Sequence, residues 1–363
     1  MAAFASVVPG KLIIMGEHAV VHGCPAIVAT FGLHCQVSAH SSSEEGVTFD
    51  LPNIGMHGHE SWADIEACAR NARQRWNDFA HHPTPESFGT LKGNDEAHLV
   101  RVAIGEAALY AGSKRPRGMI LRVDSELPPG SGFGSSAAVA TATISSVLAL
   151  SGIDANPELV RGLALEVERR QHGEPSGIDH GSMILGGVVK TIRGSDGRFA
   201  LVPIAPQSNL LDRFSVYHSG VAKEATGTVV AAVRARLGAA AEGGRALLER
   251  MAASTLRLSA LLEQTGGASC DAIALVRDYQ RCLEQLGVVP EPVRQIIEDV
   301  EAAGGAAKIS GAGSLAGPGA GALLVLWPES APPLPTSLAS LRRLFAPLGV
   351  AGLRVTEIKG TTP

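Results

Sequence analysis

A glycine-rich segment in the first half of the chain has the residue types of a phosphate-binding loop. Gly130, Gly132 and Gly134 stand at every second position, and Ser135 and Ser136 follow where a helix begins. Such glycines let the backbone aim several N–H groups at one point, and the positive helix N-terminus adds to their field. The pattern predicts an anion site, most naturally for phosphate; a glycine-rich turn before a buried helix is the plainer alternative. No Gly-Lys-Ser/Thr follows, as a Walker A loop requires, and Ser135 replaces the third glycine of a dinucleotide GxGxxG.

A second segment, 166–180, carries two carboxylates at positions suited to metal binding or proton transfer. Glu168 lies near the end of a predicted helix, and Asp179 follows in a turn rich in proline and glycine. A carboxylate in such a turn can be held rigidly, so one of the pair could hold Mg²⁺ while the other handles a proton. The alternative is an exposed helix end with surface charges, which we prefer for Glu166, Arg169 and Arg170.

Two further segments have polar or glycine-rich patterns. Lys11 enters an apolar strand, which is costly unless the lysine has an anionic partner, and Glu17 and His18 leave that strand after Gly16. Glu17 and His18 could therefore line a polar pocket, although a structural role is the plainer reading for a lone Lys or His. In segment 308–321 the glycines suit close approach to a ligand or to the first loop; the alternative is a flexible surface loop.

Length and composition limit the class of protein. The 363 residues suggest about two domains, and 45% hydrophobic residues are enough for real cores. With 31 basic and 35 acidic side chains, the net charge of −4 argues against a protein that coats nucleic acid. Five scattered cysteines without a CxxC pair indicate a reducing cytoplasm, and the short apolar start predicts no secretory signal. The predicted helix at 137–150 is too short to span a bilayer, which needs about 20 residues.

The elements that must position these segments follow from hydrophobic periodicity and turn residues. In the first half we predict strands at 11–15, 26–30, 33–39, 119–123 and 188–192, and helices at 60–79, 96–111, 137–150 and 157–171, with a turn at 194–197. In the second half we predict mostly helix from 223 to about 303, strands at 214–217, 308–309, 323–327 and 353–358, and a helix at 338–345. The change in composition predicts domains 1–205 and 206–363.

Taken together and in this order, the segments resemble the GHMP kinase superfamily, most closely its mevalonate kinases. The residues that carry the resemblance are PGK…GEHAVVHG from Pro9, PPGSGFGSSAA from Pro128 and HGEPSGID from His172. It implies an α/β (α+β) fold of two domains: an N-terminal domain of the ribosomal-protein-S5-like type and a ferredoxin-like α+β C-terminal domain. It also implies ATP-dependent phosphorylation of a small acidic alcohol, with neither nucleic acid nor membrane as partner and with a homodimer left open.

The resemblance implies roles for individual residues. Asp179 matches the catalytic aspartate that accepts the alcohol proton, and Lys11 matches the lysine that polarises the hydroxyl and stabilises charge on the phosphoryl group. Ser136 and Glu168 match the Mg²⁺ ligands. The residues expected at the ATP phosphates are Pro129, Gly130, Ser131, Gly132, Gly134, Ser135 and Ser136, and those expected beside a mevalonate-like substrate are Glu17, His18, Ala312 and Thr226.

Three departures from the family pattern leave the substrate open. Residues 314–318 interrupt the fourth segment, His180 follows the aspartate where Asn is common, and Glu174 stands where Asn or Thr is frequent. These differences could tune substrate choice or reflect only lineage. The alternatives within the superfamily are a kinase for phosphomevalonate or another hydroxy acid, and an ATP-dependent decarboxylase; homoserine kinases lack the aspartate matched by Asp179. A non-catalytic sensor of ATP and a metabolite is disfavoured by the presence of Lys11, Glu168 and Asp179 together.

Overall fold

The computed structural model describes residues 2–91, 95–173, 175–194, 197, 199–265, 269–329 and 333–359. Its strands are β1 (Ala3–Met15), β2 (Ala26–Ser42), β3 (Gly46–Leu51), β4 (Met56–Glu60), β5 (Gly118–Ser125), β6 (Val188–Arg193), β7 (Phe199–Ile204), β8 (Phe214–His218), β9 (Ala306–Ser310), β10 (Ala322–Leu326), β11 (Arg342–Leu344) and β12 (Arg354–Glu357). Its helices are α1 (Trp62–His81), α2 (Pro85–Leu91), α3 (His98–Ala111), α4 (Ser135–Leu150), α5 (Pro157–His172), α6 (Ile178–Leu185), α7 (Thr226–Ala239), α8 (Ala241–Glu263), α9 (Ser269–Gln285), α10 (Glu291–Ala302) and α11 (Thr336–Ala339).

The first sheet is built around the long antiparallel pair β1 and β2. Its order is β12-β1-β2-β5-β3-β4, with β6 added to the beginning of β2 and β7 beside β6. The strands predicted at 26–30 and 33–39 are one continuous strand, which corrects that expectation. A register shift between Pro9 and Gly10 of β1 accommodates the extra residues of β2, so the chain continues instead of turning.

Helix α4 is the central helix of the first half, and it confirms the buried helix expected at 137–150. It packs on β1, β2, α3 and α5, and most of its residues are inaccessible to solvent. The hydroxyl of Ser146 donates to the Val37 carbonyl at 2.9 Å, so this polar group is satisfied inside the core. Within the described ranges, no helix combines the length and apolar composition needed to cross a membrane.

Helix α5 begins as its sequence indicates. The side chain of Asn156 accepts a hydrogen bond from the Leu159 N–H at 3.0 Å, and Pro157 occupies the first turn. This cap fixes the start of the helix that carries Glu168 near its other end.

The second sheet, of order β11-β8-β10-β9, is antiparallel, and α9 and α10 pack on β9. The helical composition of 223–303 is confirmed by α7 to α10. The helix expected at 338–345 is wrong: α11 ends at Ala339, and Arg342–Leu344 form a strand paired with His218, Tyr217 and Val216 of β8. Pairing with the open edge of β8 overrides the local helical propensity there.

The two sheets are linked through a shared apolar core. One cluster of buried side chains includes Leu12 of β1 and Leu324 of β10, and β1 also contacts β9 directly. After the second sheet the chain returns to the first sheet, where β12 pairs with β1 in the register Val7↔Arg354. The domain division near residue 205 stays a prediction; β7 ends at Ile204 and β8 begins the second sheet at Phe214. The turn expected at 194–197 falls partly outside the described residues.

Candidate active site

The structure brings together Lys11 and Asp179, which are far apart in the sequence. The Lys11 Nζ lies 3.1 Å from the Asp179 Oδ1. Lys11 projects from β1 and is almost fully buried, whereas 35% of the Asp179 side chain is exposed. Asp179 is the second residue of α6, and the left-handed Gly177 (φ 75°) turns the chain into that helix. The buried lysine thus has an anionic partner, and the partner remains accessible to a substrate.

Ser136 and Glu168 form a second polar contact beside this pair. The Ser136 hydroxyl donates to the Glu168 Oε1 at 3.0 Å. The pKa of the Glu168 carboxyl is raised to about 7, chiefly by burial and also by the negative charge of Asp179, whereas the Ser136 hydrogen bond and Lys11 act against this rise. Two carboxylates thus share this region with one lysine.

His172 is a member of this group that the sequence analysis did not single out. Its Nε2 lies 3.1 Å from the Ser136 Oγ. With the hydroxyl proton on Glu168, the tautomer of His172 that carries its proton on Nε2 can donate to the serine oxygen. The signal was available in the sequence, since His172 is four positions after Glu168 and this spacing places both on one helix face.

The glycine-rich loop folds as its sequence predicts. Gly130, Gly132 and Gly134 have φ values of 65°, 84° and 74°, a region that side chains with Cβ rarely adopt. A Cβ at Gly134 would lie 2.3 Å from the Met183 Cε and 3.1 Å from the Lys11 Cγ, whereas one at Gly130 would meet only the Val221 Cγ1, at 3.8 Å. The loop is therefore closely packed at its helix end and open near Gly130.

The same loop is attached to the strand that carries the lysine. The Lys11 N–H donates to the Phe133 carbonyl at 3.0 Å. Helix α4 begins immediately afterwards at Ser135, so its first N–H groups face the region of Lys11 and Ser136. Free N–H groups at a helix start attract an anion, and a lysine beside them adds positive charge.

Glu17, which we expected could line a polar pocket, has a side chain that is enclosed by the protein. The carboxylate is fully buried and forms an ion pair with Lys308, which is equally buried. Burial raises the pKa of Glu17 and lowers that of Lys308, and their opposite charges act against both shifts. Lys308 was missed as a partner, although a lysine within the apolar strand β9 gives the same signal as Lys11 in β1.

His18 lies next to this buried pair and has an unusual backbone. Its φ of 58° is the only positive value at a non-glycine among the described residues. The Nε2 donates to the Ala312 carbonyl at 2.9 Å, which joins two of the expected substrate residues. Burial lowers the pKa of His18 to about 4, so the ring is neutral near neutral pH. Thr226 is exposed at the start of α7, and its role at the substrate stays a prediction.

Comparison with known proteins supports what these contacts indicate. The profile of the GHMP kinases N terminal domain matches residues 98–187, which include the glycine-rich loop, Glu168 and Asp179. The mevalonate kinase of Homo sapiens is 29% identical over 335 residues, covering 84% of this chain and 82% of that protein. The mevalonate kinase of Thermococcus gammatolerans is 27% identical over 364 residues, covering 96% and 97%. The chain thus resembles mevalonate kinases over most of its length, and its residues 98–187 match the N-terminal domain of the GHMP kinases.

The fold agrees with this assignment. The crystal structure of Methanococcus jannaschii mevalonate kinase superimposes with a TM-score of 0.74 at 18% identity, covering 95% of this chain and 98% of that one. The α/β fold expected from the resemblance to the GHMP kinases is confirmed. The match to the GHMP kinase domain implies ATP as a substrate.

The interrupted fourth segment is partly buried and hydrogen-bonded, which disfavours the flexible surface loop considered as its alternative. Ser314 is fully buried, and its hydroxyl lies 2.6 Å from the Glu224 Oε2, while the Leu315 N–H donates to the same oxygen at 3.0 Å. The hydrogen bonds of Glu224 lower its pKa, led by the bond from Ser314. A carboxylate from the segment before α7 therefore holds the loop where the GHMP pattern has a compact glycine run.

His180 and Glu174 are the other departures from the GHMP pattern. His180 is buried, neither ring nitrogen has a hydrogen-bond partner among the described residues, and burial lowers its pKa to about 4. Its ring lies near Gly177, where a Cβ would be 3.8 Å from the imidazole Cε1. Glu174 lies outside the described residues.

Proposed function

We propose that this protein transfers the γ-phosphoryl group of ATP to the hydroxyl of mevalonate. The observation that carries the proposal is the contact of Lys11 with the accessible Asp179 beside the glycine-rich loop and the start of α4. Mevalonate is the proposed acceptor because the relatives that resemble this chain over most of its length are named mevalonate kinases.

The glycine-rich loop is the proposed binding site for the ATP phosphates. Its left-handed glycines leave backbone N–H groups free to face a ligand near Gly130, where the loop is open. Phosphoryl transfer has a loose transition state, so catalysis depends on positioning and on neutralising charge. The loop, the α4 N-terminus and Lys11 supply positive potential from one direction.

The Ser136–Glu168 contact suits Mg²⁺. Its donors are a hydroxyl and a carboxylate oxygen, the hard ligands that this ion prefers, and Mg²⁺ usually keeps several waters and substrate phosphate oxygens as further ligands. The raised pKa of Glu168 indicates a buried carboxylate without sufficient positive charge beside it. When bound, Mg²⁺ would supply that charge and neutralise charge on the ATP phosphates.

Proton transfer is assigned to Asp179. We propose that its carboxylate accepts the proton of the substrate hydroxyl as the oxygen forms a bond to the γ-phosphorus and the bond from that phosphorus to ADP breaks. Lys11, at 3.1 Å, holds the carboxylate by an ion pair and opposes negative charge on the acceptor oxygen. The proton and the phosphoryl group thus move in opposite directions at one hydroxyl.

The acceptor is proposed to lie on the side of the site formed by His18, Ala312 and Thr226. His18 is neutral, its Nε2 proton is used at the Ala312 carbonyl, and its Nδ1 has no hydrogen-bond partner in the described structure, so the Nδ1 can accept a hydrogen bond from a substrate hydroxyl. Glu17 forms a buried ion pair with Lys308 beside these residues, and we propose that it does not contact the substrate itself.

A substrate panel tests the proposal. ADP release is followed with ATP, Mg²⁺ and, in turn, mevalonate, phosphomevalonate, homoserine and galactose, and each product is identified by mass. We expect a stable phosphate ester from mevalonate and no release of carbon dioxide. Turnover of another alcohol alone would change the proposed substrate but leave the kinase activity standing. Release of carbon dioxide with an alkene would identify a decarboxylase. ATP binding without turnover would favour a sensor.

A further inference from the structure

One residue of the glycine-rich loop turns its side chain away from the proposed ATP site. Ser131 is 1% exposed, and its Oγ lies 2.7 Å from the Nε2 of His218, the last residue of β8 in the second sheet. The same hydroxyl lies 3.1 Å from the Pro129 carbonyl, to which it donates. Because the Pro129 carbonyl can only accept, we assign the serine proton to that bond and the Nε2 proton of His218 to the bond with the serine oxygen, an arrangement that satisfies both contacts.

The backbone of Ser131 is held by the strand beside His218. The Ala322 N–H donates to the Ser131 carbonyl at 3.0 Å, and Ala322 pairs with His218 in the β8–β10 register. A Cβ at Gly321 would lie 2.7 Å from that carbonyl, so only a glycine allows this approach. Two adjacent positions of the second sheet therefore fix both the carbonyl and the hydroxyl of one loop residue.

The other end of the loop is attached to the first sheet through Lys11 and Phe133, as described above. The loop is thus held on two sides, and Gly130 lies at its open part, between Pro129 and Ser131. The hydrogen bond from Ser131 to the Pro129 carbonyl closes a turn around Gly130, and His218 keeps the serine in the orientation that makes this bond.

We propose that His218 is a positioning residue that fixes the phosphate loop for ATP by orienting Ser131. The inference rests on the proposed function, because it assumes that this loop binds the ATP phosphates. His218 acts through Ser131 and does not itself touch the nucleotide. Burial and the nearby Arg342 lower the pKa of His218, which favours the neutral ring, and a neutral ring protonated at Nε2 can still donate this hydrogen bond.

The test compares His218→Ala with His218→Gln in the full-length protein. A neutral hydrogen bond contributes about 0.5–1.5 kcal/mol, which converts to roughly a two- to tenfold change. We expect His218→Ala to raise KM for ATP and the Kd of ATP measured without acceptor by that factor, while kcat and KM for mevalonate change less than twofold. His218→Gln, whose amide can donate to the same oxygen, should recover most of the ATP affinity.

Two further variants separate positioning from general stability. Ser131→Ala removes both the contact with His218 and the hydrogen bond to Pro129, so it should weaken ATP binding at least as much as His218→Ala does. The double variant should bind ATP no more weakly than Ser131→Ala alone, since His218 acts only through that hydroxyl. Ser215→Ala removes the side-chain contact with Arg343 from the same strand β8 and should leave both KM values unchanged. If His218→Ala does not fold, Ser131→Ala carries the test alone.

The possible outcomes distinguish failure of this inference from failure of the proposed function. Unchanged ATP affinity in His218→Ala and Ser131→Ala, with normal turnover, would overturn the inference and leave the kinase assignment intact. Equal loss of affinity for ATP and mevalonate, or the same loss in Ser215→Ala, would assign His218 a general structural role and also overturn it. Failure of the unmodified protein to bind ATP would remove both proposals.

Discussion

Two lysine–carboxylate pairs lie near the end of β1 and differ in their access to solvent. Lys11 contacts Asp179, of which 35% is exposed, whereas Lys308 contacts Glu17 where both side chains are fully buried. Lys308 also donates to the carbonyls of Ile13 and Ile309, at 3.4 and 2.7 Å. Its three N–H donors are therefore all used inside the protein.

Access to solvent and free hydrogen-bonding capacity, more than residue type, therefore separate a reactive pair from a structural one. Asp179 keeps one carboxylate oxygen without a described contact and can receive a substrate proton. Glu17 is closed off further by Tyr279, whose hydroxyl donates to the Glu17 carbonyl at 2.9 Å. Each pair should thus respond to mutation in a different measurement: the open one in turnover, the buried one in stability.

The largest effect is expected at the open pair. Asp179→Asn removes the proton acceptor while nearly preserving shape, and a general base typically contributes about 10²–10⁴-fold. We expect kcat to fall by that factor in an ADP-release assay, with the Kd of ATP changed by less than about threefold. Asp154→Asn changes an exposed aspartate and serves as the control. Near-normal turnover of Asp179→Asn would remove Asp179 from the mechanism.

The buried pair should respond in stability. Lys308→Met leaves the carboxylate of Glu17 buried without a counter-charge, and breaking such a pair costs about 3–5 kcal/mol. We expect a loss of that size in the free energy of unfolding, measured with denaturant. Adding Glu17→Gln removes the unpaired charge and should restore part of the loss.

Lys190→Met provides a matched control for this prediction. Lys190 forms a partly exposed pair with Glu263 at 3.9 Å, and such surface pairs contribute at most about 1 kcal/mol. If Lys308→Met were no more destabilising than Lys190→Met, the contrast between buried and accessible pairs would not hold. A double variant less stable than Lys308→Met would contradict the account of the unpaired carboxylate.

Local patterns made much of the site predictable. The left-handed glycines, the start of α4 and the Asn156 cap depend on neighbours in the sequence, so periodicity and turn chemistry were sufficient for them. His172 belongs to the same class, because its spacing from Glu168 places both on one helix face.

The parts of the fold and of the site that depend on long-range contacts could not be predicted from local patterns. The partner of Glu17 lies 291 residues away, and no local pattern shows that Lys308 closes the pocket expected there. The helix expected at 338–345 was wrong for the same reason, since pairing with β8 makes Arg342–Leu344 a strand. The meeting of Lys11 with Asp179 was expected only through the resemblance to GHMP kinases.

Glu168 is intermediate between the accessible carboxylate of Asp179 and the buried, paired carboxylate of Glu17. It is buried like Glu17, but it lacks a lysine in direct contact, and burial together with Asp179 raises its pKa from 4.5 to about 7. The folded protein therefore holds this proton more tightly than the unfolded chain does. Without Mg²⁺, the stability that this group contributes is present below pH 4.5 and is lost as the pH rises through about 7.

Glu168→Gln tests this reasoning, because the amide stays neutral and can still accept from Ser136. At pH 8 without Mg²⁺ we expect the variant to be more stable than the unmodified protein by roughly 3 kcal/mol at most, since each pKa unit corresponds to about 1.4 kcal/mol. The difference in unfolding free energy should shrink towards zero as the pH approaches 4.5. Glu166→Gln, on the same helix but half-exposed, should show no such gain. Parallel stability curves for Glu168→Gln and the unmodified protein between pH 4.5 and 8 would mean that the Glu168 carboxylate is already compensated, and that it resembles Glu17 more than a site awaiting a cation.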